Sequence, residues 1–127
     1  MGLALVATGF EKDMHIGYGG FSGMRYRIAK AYSEKHGELY AMMLKAFRSR
    51  LPDDFDAKWN DGCNDDLDIL LWHSDCDGKL TYQECGKIYN VLKGLDVEDQ
   101  HEEDSFYNNF LEMLQHCKKR RVNMYFY

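Results

Sequence analysis

The chain contains a single proline, no CxxC pair among its four cysteines, and few basic residues through its middle. It has no run near the roughly 18–20 consecutive apolar residues that span a bilayer, which argues against a membrane-crossing helix. The apolar start at residues 3–7 lacks the positive charge and length of a secretory leader and reads as a strand. Cys63, Cys76, Cys85 and Cys117 have no zinc-site spacing, and a chain of this size does not need disulfides to supplement its core. Free thiols in a reducing cytoplasm are the expectation. Residues 52–117 carry four basic against seventeen acidic side chains, which disfavours a nucleic-acid surface there, since phosphate neutralisation needs clustered Lys and Arg. The basic surplus lies at the two ends, with eight basic against four acidic residues in 1–51, and Lys118, Lys119, Arg120 and Arg121 in succession.

What the chain does have is apolar and aromatic content. Hydrophobic residues make up 45% and aromatics 14%, enough for a packed core, and 127 residues suit one globular domain, 1–127. Residues 3–8 and 14–18 read as strands separated by a polar turn. Phe21, Met24, Ile28, Ala31 and Tyr32 recur at spacings of three and four, predicting a helix that Gly37 interrupts, with Arg25, Arg27 and Lys30 around its other faces. Leu39, Met42, Met43, Ala46 and Phe47 predict a second helix ending before Pro52. Residues 52–66 show no sustained period and read as a connection with room for a turn of helix, which Phe55 and Trp59 would pin to the core; Leu67, Leu70 and Leu71 then give a short helical stripe, and Cys85, Ile88, Tyr89 and Leu92 another. The most regular stripe is Phe106, Phe110, Met113, Leu114 and Cys117, with acids before it and Lys118–Arg121 after it, both suited to the helix dipole. The alternating end, residues 122–127, reads as a strand that pairs with the N-terminal one. The predicted fold class is therefore α+β: a mostly helical domain of four to five helices packed on a small two- or three-stranded sheet formed by the terminal strands.

One local string has a specific chemical reading. Residues 73–84 have the spacing of a calcium-binding helix-loop-helix: His73, Asp75, Asp77, Lys79 through its carbonyl, Thr81 and Glu84 fall at the ligand positions, with Gly78 at the sharp turn and Leu80 at the apolar eighth position. The string resembles an EF-hand, which implies one divalent cation as cofactor. It departs at the first position, where an imidazole replaces a carboxylate, lowering the expected calcium affinity and tilting the site towards Mn²⁺ or Zn²⁺. No second loop is present to pair with it. A structural reading uses the same residues: Thr81 and Glu84 form a capping box for the following helix, and Asp75, Asp77 and Gly78 are turn formers. The wider string 70–78, the Gly17-Tyr18-Gly19-Gly20-Phe21 entry to the helix bearing Arg25, and the aromatic end are together similar to a group of small uncharacterised bacterial and phage proteins. That resemblance carries no established activity, implies a compact intracellular protein and favours a structural role for His73.

Other chemistry is less specific. The glycines at 17–23 lack the phosphate-binding patterns, and read as a strand-to-helix turn. Asp65, Asp66 and Asp68 read as acids favouring the start of a helix, and His15, His36, His101 and His116 form no spaced ligand set with one another. The leading functional expectation is a non-enzymatic cytoplasmic interaction or accessory protein with a protein partner, using Arg25 and Arg27 as its surface, no cofactor and no catalytic residues. The second is a divalent-metal module using residues 73–84. The third is a small enzyme using His73 and Cys76, which requires the thiol within hydrogen-bond reach of the imidazole.

Overall fold

A computed structural model of the chain describes residues 2–46, 53–61, 65–74 and 77–127. Strands β1 (Gly2–Val6), β2 (His15–Gly17), β3 (Lys79–Leu80) and β4 (Met124–Phe126) form one antiparallel sheet in the order β2-β1-β4-β3. Leu5 stands opposite Phe126 and Val6 opposite Tyr125, so the two ends of the chain meet at the centre of the sheet. Period-two alternation buries Leu3, Leu5, Met124 and Phe126 and leaves Val6 and Tyr125 exposed.

Six α-helices lie among the described residues: α1 (Tyr18–Tyr32), α2 (Glu34–Lys45), α3 (Phe55–Asn60), α4 (Asp68–Leu71), α5 (Tyr82–Leu92) and α6 (Phe106–Arg120). A 3₁₀ turn at Glu98–His101 precedes α6. The fold is thus α+β and mostly helical, with two corrections to the expected counts. The sheet has four strands rather than two or three, because β3 is a two-residue strand too short to show alternation. It lies inside the calcium-like string, where Lys79 and Leu80 pair with Tyr125 and Met124. The helices number six rather than four or five because residues 55–60, within the segment read as a connection, form a short helix of their own, whereas 68–71 falls on the expected leucine stripe.

The helical hairpin α1–α2 turns at Ser33, not at Gly37. Ser33 is extended (φ −162°, ψ 155°), and its hydroxyl accepts from the His36 backbone N–H at 3.0 Å, capping α2. Gly37 sits inside α2 because the two helices touch there: a Cβ at this position would lie 2.9 Å from the Lys30 Cα. α6 buries Tyr107, Phe110, Met113, Leu114 and Cys117 as its stripe predicts, and a left-handed Arg121 (φ 56°, ψ 45°) turns the chain into β4. The predicted extension of the second helix to Phe47 and towards Pro52 lies outside the described residues, as do Cys63, Asp75 and Cys76. No helix among the described residues is long and apolar enough to cross a membrane.

The close approach at Gly37 has a measurable cost when disturbed. Gly37→Ala gains helix propensity of up to about 1 kcal/mol but pushes backbone against backbone, and overpacking of this kind costs typically about 1–3 kcal/mol. The variant is expected to unfold at lower urea concentration than the wild type; an unchanged or higher midpoint would show that the helices separate freely.

Candidate functional site

The calcium-like loop places its described side chains against the protein itself. His73 Nδ1 lies 2.8 Å from the Ser74 carbonyl and Nε2 lies 2.9 Å from the Lys79 carbonyl, with the ring 4.1 Å from the Phe126 ring centroid. A ring nitrogen donating to a carbonyl has no lone pair for a metal. The Lys79 carbonyl, which would be a cation ligand, is faced by that imidazole instead. Thr81 and Glu84 make the capping box of α5: Glu84 N–H donates to Thr81 Oγ1 at 3.2 Å, and Thr81 N–H donates to Glu84 Oε1 at 3.0 Å. Gly78 takes the left-handed φ of 88° that the turn requires, and Asp77 is exposed, its N–H donating to Ser74 Oγ at 3.3 Å. Among the described residues of this loop, His73 bonds to the Ser74 and Lys79 carbonyls, and Thr81 and Glu84 bond to each other. Cys76, the partner an enzyme reading of His73 requires, lies outside the described residues, as does Asp75.

Arg25 is not a surface residue. It is 6% exposed, because it stands four residues after Phe21 and three before Ile28, on the buried face of α1. Its Nη1 donates to the carbonyls of Leu70 (3.3 Å), Leu71 (3.4 Å) and His73 (2.7 Å), and its guanidinium lies 4.5 Å from the Phe21 ring centroid. One cation thus reaches the carbonyls at the C-terminal end of α4, where the helix dipole favours positive charge. Arg27 is half-buried and forms a two-pronged pair with Asp99, at 2.5 and 2.8 Å, which raises its pKa further. The expected Arg25 and Arg27 surface is therefore a pair of internal ties.

A different group of residues meets at an open corner between α3 and α4. Asp56, Trp59 and Asn60 fall at i, i+3 and i+4 on α3; Asp68 and Trp72 fall at i and i+4 along α4 and its C-cap. Both sets line one cavity of about 290 Å³. The two indoles meet edge to face, 4.8 Å apart at 78°, and Phe55 stands edge-on to Trp72 at 6.1 Å. Trp59 is buried and donates its Nε1–H to Asp68 Oδ2 at 3.0 Å, whereas Trp72 is 44% exposed. Helices of six and four residues are too short to persist on propensity. Phe55, Trp59, Leu70 and Leu71, all buried, together with Arg25 on the carbonyls, hold them in place.

Behind this corner lie His36, Asp65 and Asp68, each offering a ligand atom within 4.8 Å of the other two. His36 is 2% exposed and packs edge to face against Tyr32 (4.7 Å) and Trp59 (5.5 Å). Its Nδ1 is 2.5 Å from Ser33 Oγ, and its Nε2 stands 3.5 Å from Asp65 Oδ2. Asp65 also accepts the Leu67 N–H at 3.1 Å, the turn that leads into α4. Burial, first of all, raises the pKa of Asp68; the Trp59 hydrogen bond opposes this, and the neighbouring Asp65 charge adds to it. The Tyr32 hydroxyl is raised chiefly by its hydrogen bond to Asp65.

These residues were missed in the sequence because Asp68 reads as a helix-start acid and His36 has no other histidine at ligand spacing. A signal was present in the pairing of one acid with one tryptophan on each of two short helical segments. Compared with family models, curated proteins and solved structures, the chain finds no match.

Two outcomes follow from this geometry. Arg25→Met leaves three carbonyls without their charged donor and is expected to cost about 1.5–3 kcal/mol, read as a lower urea midpoint; an unchanged midpoint would contradict the tie. Asp68 has a folded pKa above its ordinary 3.8, so its contribution to stability is present at low pH and is lost as pH rises from 3.8 through the raised value. Unfolding midpoints over a pH series should show Asp68→Asn gaining on the wild type across that window and holding level above it; a difference that shrinks as pH rises would contradict the assignment.

Proposed function

We propose that the chain is a non-enzymatic cytoplasmic interaction protein whose α3–α4 corner receives a cationic side chain, lysine or arginine, from a protein partner. The observation that carries this is the pair of perpendicular indoles, Trp59 and Trp72, walling one cavity together with the carboxylates of Asp56 and Asp68. Aromatic faces attract a cation through the ring quadrupole, by about 0.5–1 kcal/mol at exposed sites and about 2 kcal/mol when desolvated. The carboxylates add charge attraction, and the acidic stretch 52–117 around them steers basic partners inwards. An anionic ligand would meet repulsion from the same groups. The exposed Trp72 offers a large, stiff side chain of the kind that anchors protein contacts.

Both tryptophans of the chain stand at this cavity, so intrinsic fluorescence reports on it directly. Titration with a lysine-rich peptide in the presence of EDTA is expected to shift or quench the emission saturably, while a glutamate-rich peptide of equal length leaves it unchanged. Trp72→Ala, at an exposed position, should weaken the lysine peptide by about fivefold or more, the equivalent of about 1 kcal/mol. No response to the basic peptide, or an equal response to both, would sink the proposal.

A further inference from the structure

We infer that His36, Asp65 and Asp68 form a binding site for a borderline divalent cation, Mn²⁺ or Zn²⁺, distinct from the calcium-like loop at 73–84. The donor atoms are one imidazole nitrogen and two carboxylates, a set that suits Mn²⁺, Zn²⁺ or Fe²⁺ better than Ca²⁺, which takes six to eight oxygens. Metal–ligand bonds of about 2.1 Å put any two ligands no more than about 4.2 Å apart. The observed spread of 4.8 Å or less, with His36 Nε2 already 3.5 Å from Asp65 Oδ2, needs only a slight closing.

Proximity alone would be satisfied by a simple ion pair of His36 with Asp65. That pair leaves Asp68 Oδ1 out altogether: it is buried without a hydrogen-bond partner, and His36 Nε2, 3.5 Å from Asp65 Oδ2, is also buried and makes no hydrogen bond. Buried polar atoms are rarely left in this state, because each forfeits its bond to water. Here both belong to the same three-residue group, and a cation between them would satisfy both.

Each ligand is also held from outside. Ser33 Oγ stands against His36 Nδ1, so it can accept that N–H and leave Nε2 as the coordinating atom; the Leu67 N–H bonds Asp65 Oδ1; the Trp59 indole N–H bonds Asp68 Oδ2. Outer partners of this kind orient ligands and fix the imidazole tautomer. The three come from the Ser33 corner, α3 and the turn into α4, while the ligands come from α2, α4 and the turn before α4, so the cation would bridge the helical hairpin to the α3–α4 segment. Asp65 is one third exposed and forms the entrance. Three protein ligands leave positions for water, as at an open rather than closed metal site.

The test uses the full chain dialysed against EDTA, with no peptide present, so that it can succeed or fail independently of the tryptophan cavity. MnCl₂ and ZnCl₂ are titrated by calorimetry and by thermal unfolding, with CaCl₂ alongside. The expected result is saturable binding of Mn²⁺ or Zn²⁺ near one ion per chain with a raised Tm, and a weaker response to Ca²⁺. Asp65→Asn, at the partly exposed edge, should weaken binding at least about tenfold, as should Asp68→Asn if the first variant proves unfolded by circular dichroism. Asp77→Ala should bind as the wild type does. The inference is overturned if neither Mn²⁺ nor Zn²⁺ raises Tm, if both Asn variants bind undiminished, or if Asp77→Ala abolishes binding and so returns the ion to the 73–84 loop.

Discussion

The position of the α3–α4 corner depends on the Arg25 guanidinium. α4 is one turn of helix, and a single buried cation from α1 reaches the carbonyls of Leu70, Leu71 and His73 at its C-terminal end. A neutral side chain would remove the charged donor from all three carbonyls, of which, among the described residues, only Leu70 also accepts a backbone N–H, from His73 at 3.3 Å. Asp68 at the start of that turn and Trp72 at its end are thereby set relative to α1.

The described residues of the calcium-like string each have a structural use. His73 closes the loop onto Lys79, Gly78 supplies the turn, Lys79 and Leu80 add a strand beside β4, and Thr81 with Glu84 starts α5. Each step fixes the next. The carboxylate that a calcium loop would carry at its first position is replaced here by a ring packed on Phe126, which ties the loop to the terminal strand. Ligand-type atoms also lie close together elsewhere, where His36 Nε2 and Asp68 Oδ1 are buried without hydrogen-bond partners.

Much of the fold was legible from the spacing of apolar residues. The stripes of α1 and α6 and the pairing of the terminal strands follow from periodicity, because burial of one face imposes it. Three features were not legible, each for a physical reason. β3 is shorter than one alternation. Gly37 looks like a helix breaker in sequence, but its place is set by how closely α1 approaches, which only the tertiary structure reveals. Arg25 was assigned to solvent by its charge, although its offset from Phe21 and Ile28 places it on the buried face. The candidate site was less legible still. Its residues come from α2, α3, α4 and the connecting turn, and only Asp56 with Trp59 and Asp68 with Trp72 form a local pattern.

The central claim is that the α3–α4 corner, rather than the basic face of α1 or the 73–84 loop, is where this protein meets a ligand. The most direct measurement is a ¹H–¹⁵N correlation spectrum followed while a lysine-rich peptide is added, because the two indole N–H resonances of the chain belong to Trp59 and Trp72. The account predicts that both indole resonances move saturably, together with backbone amides of residues 56–60 and 68–72. Shifts confined to α1 or to residues 77–84, with both indoles unmoved, would contradict it.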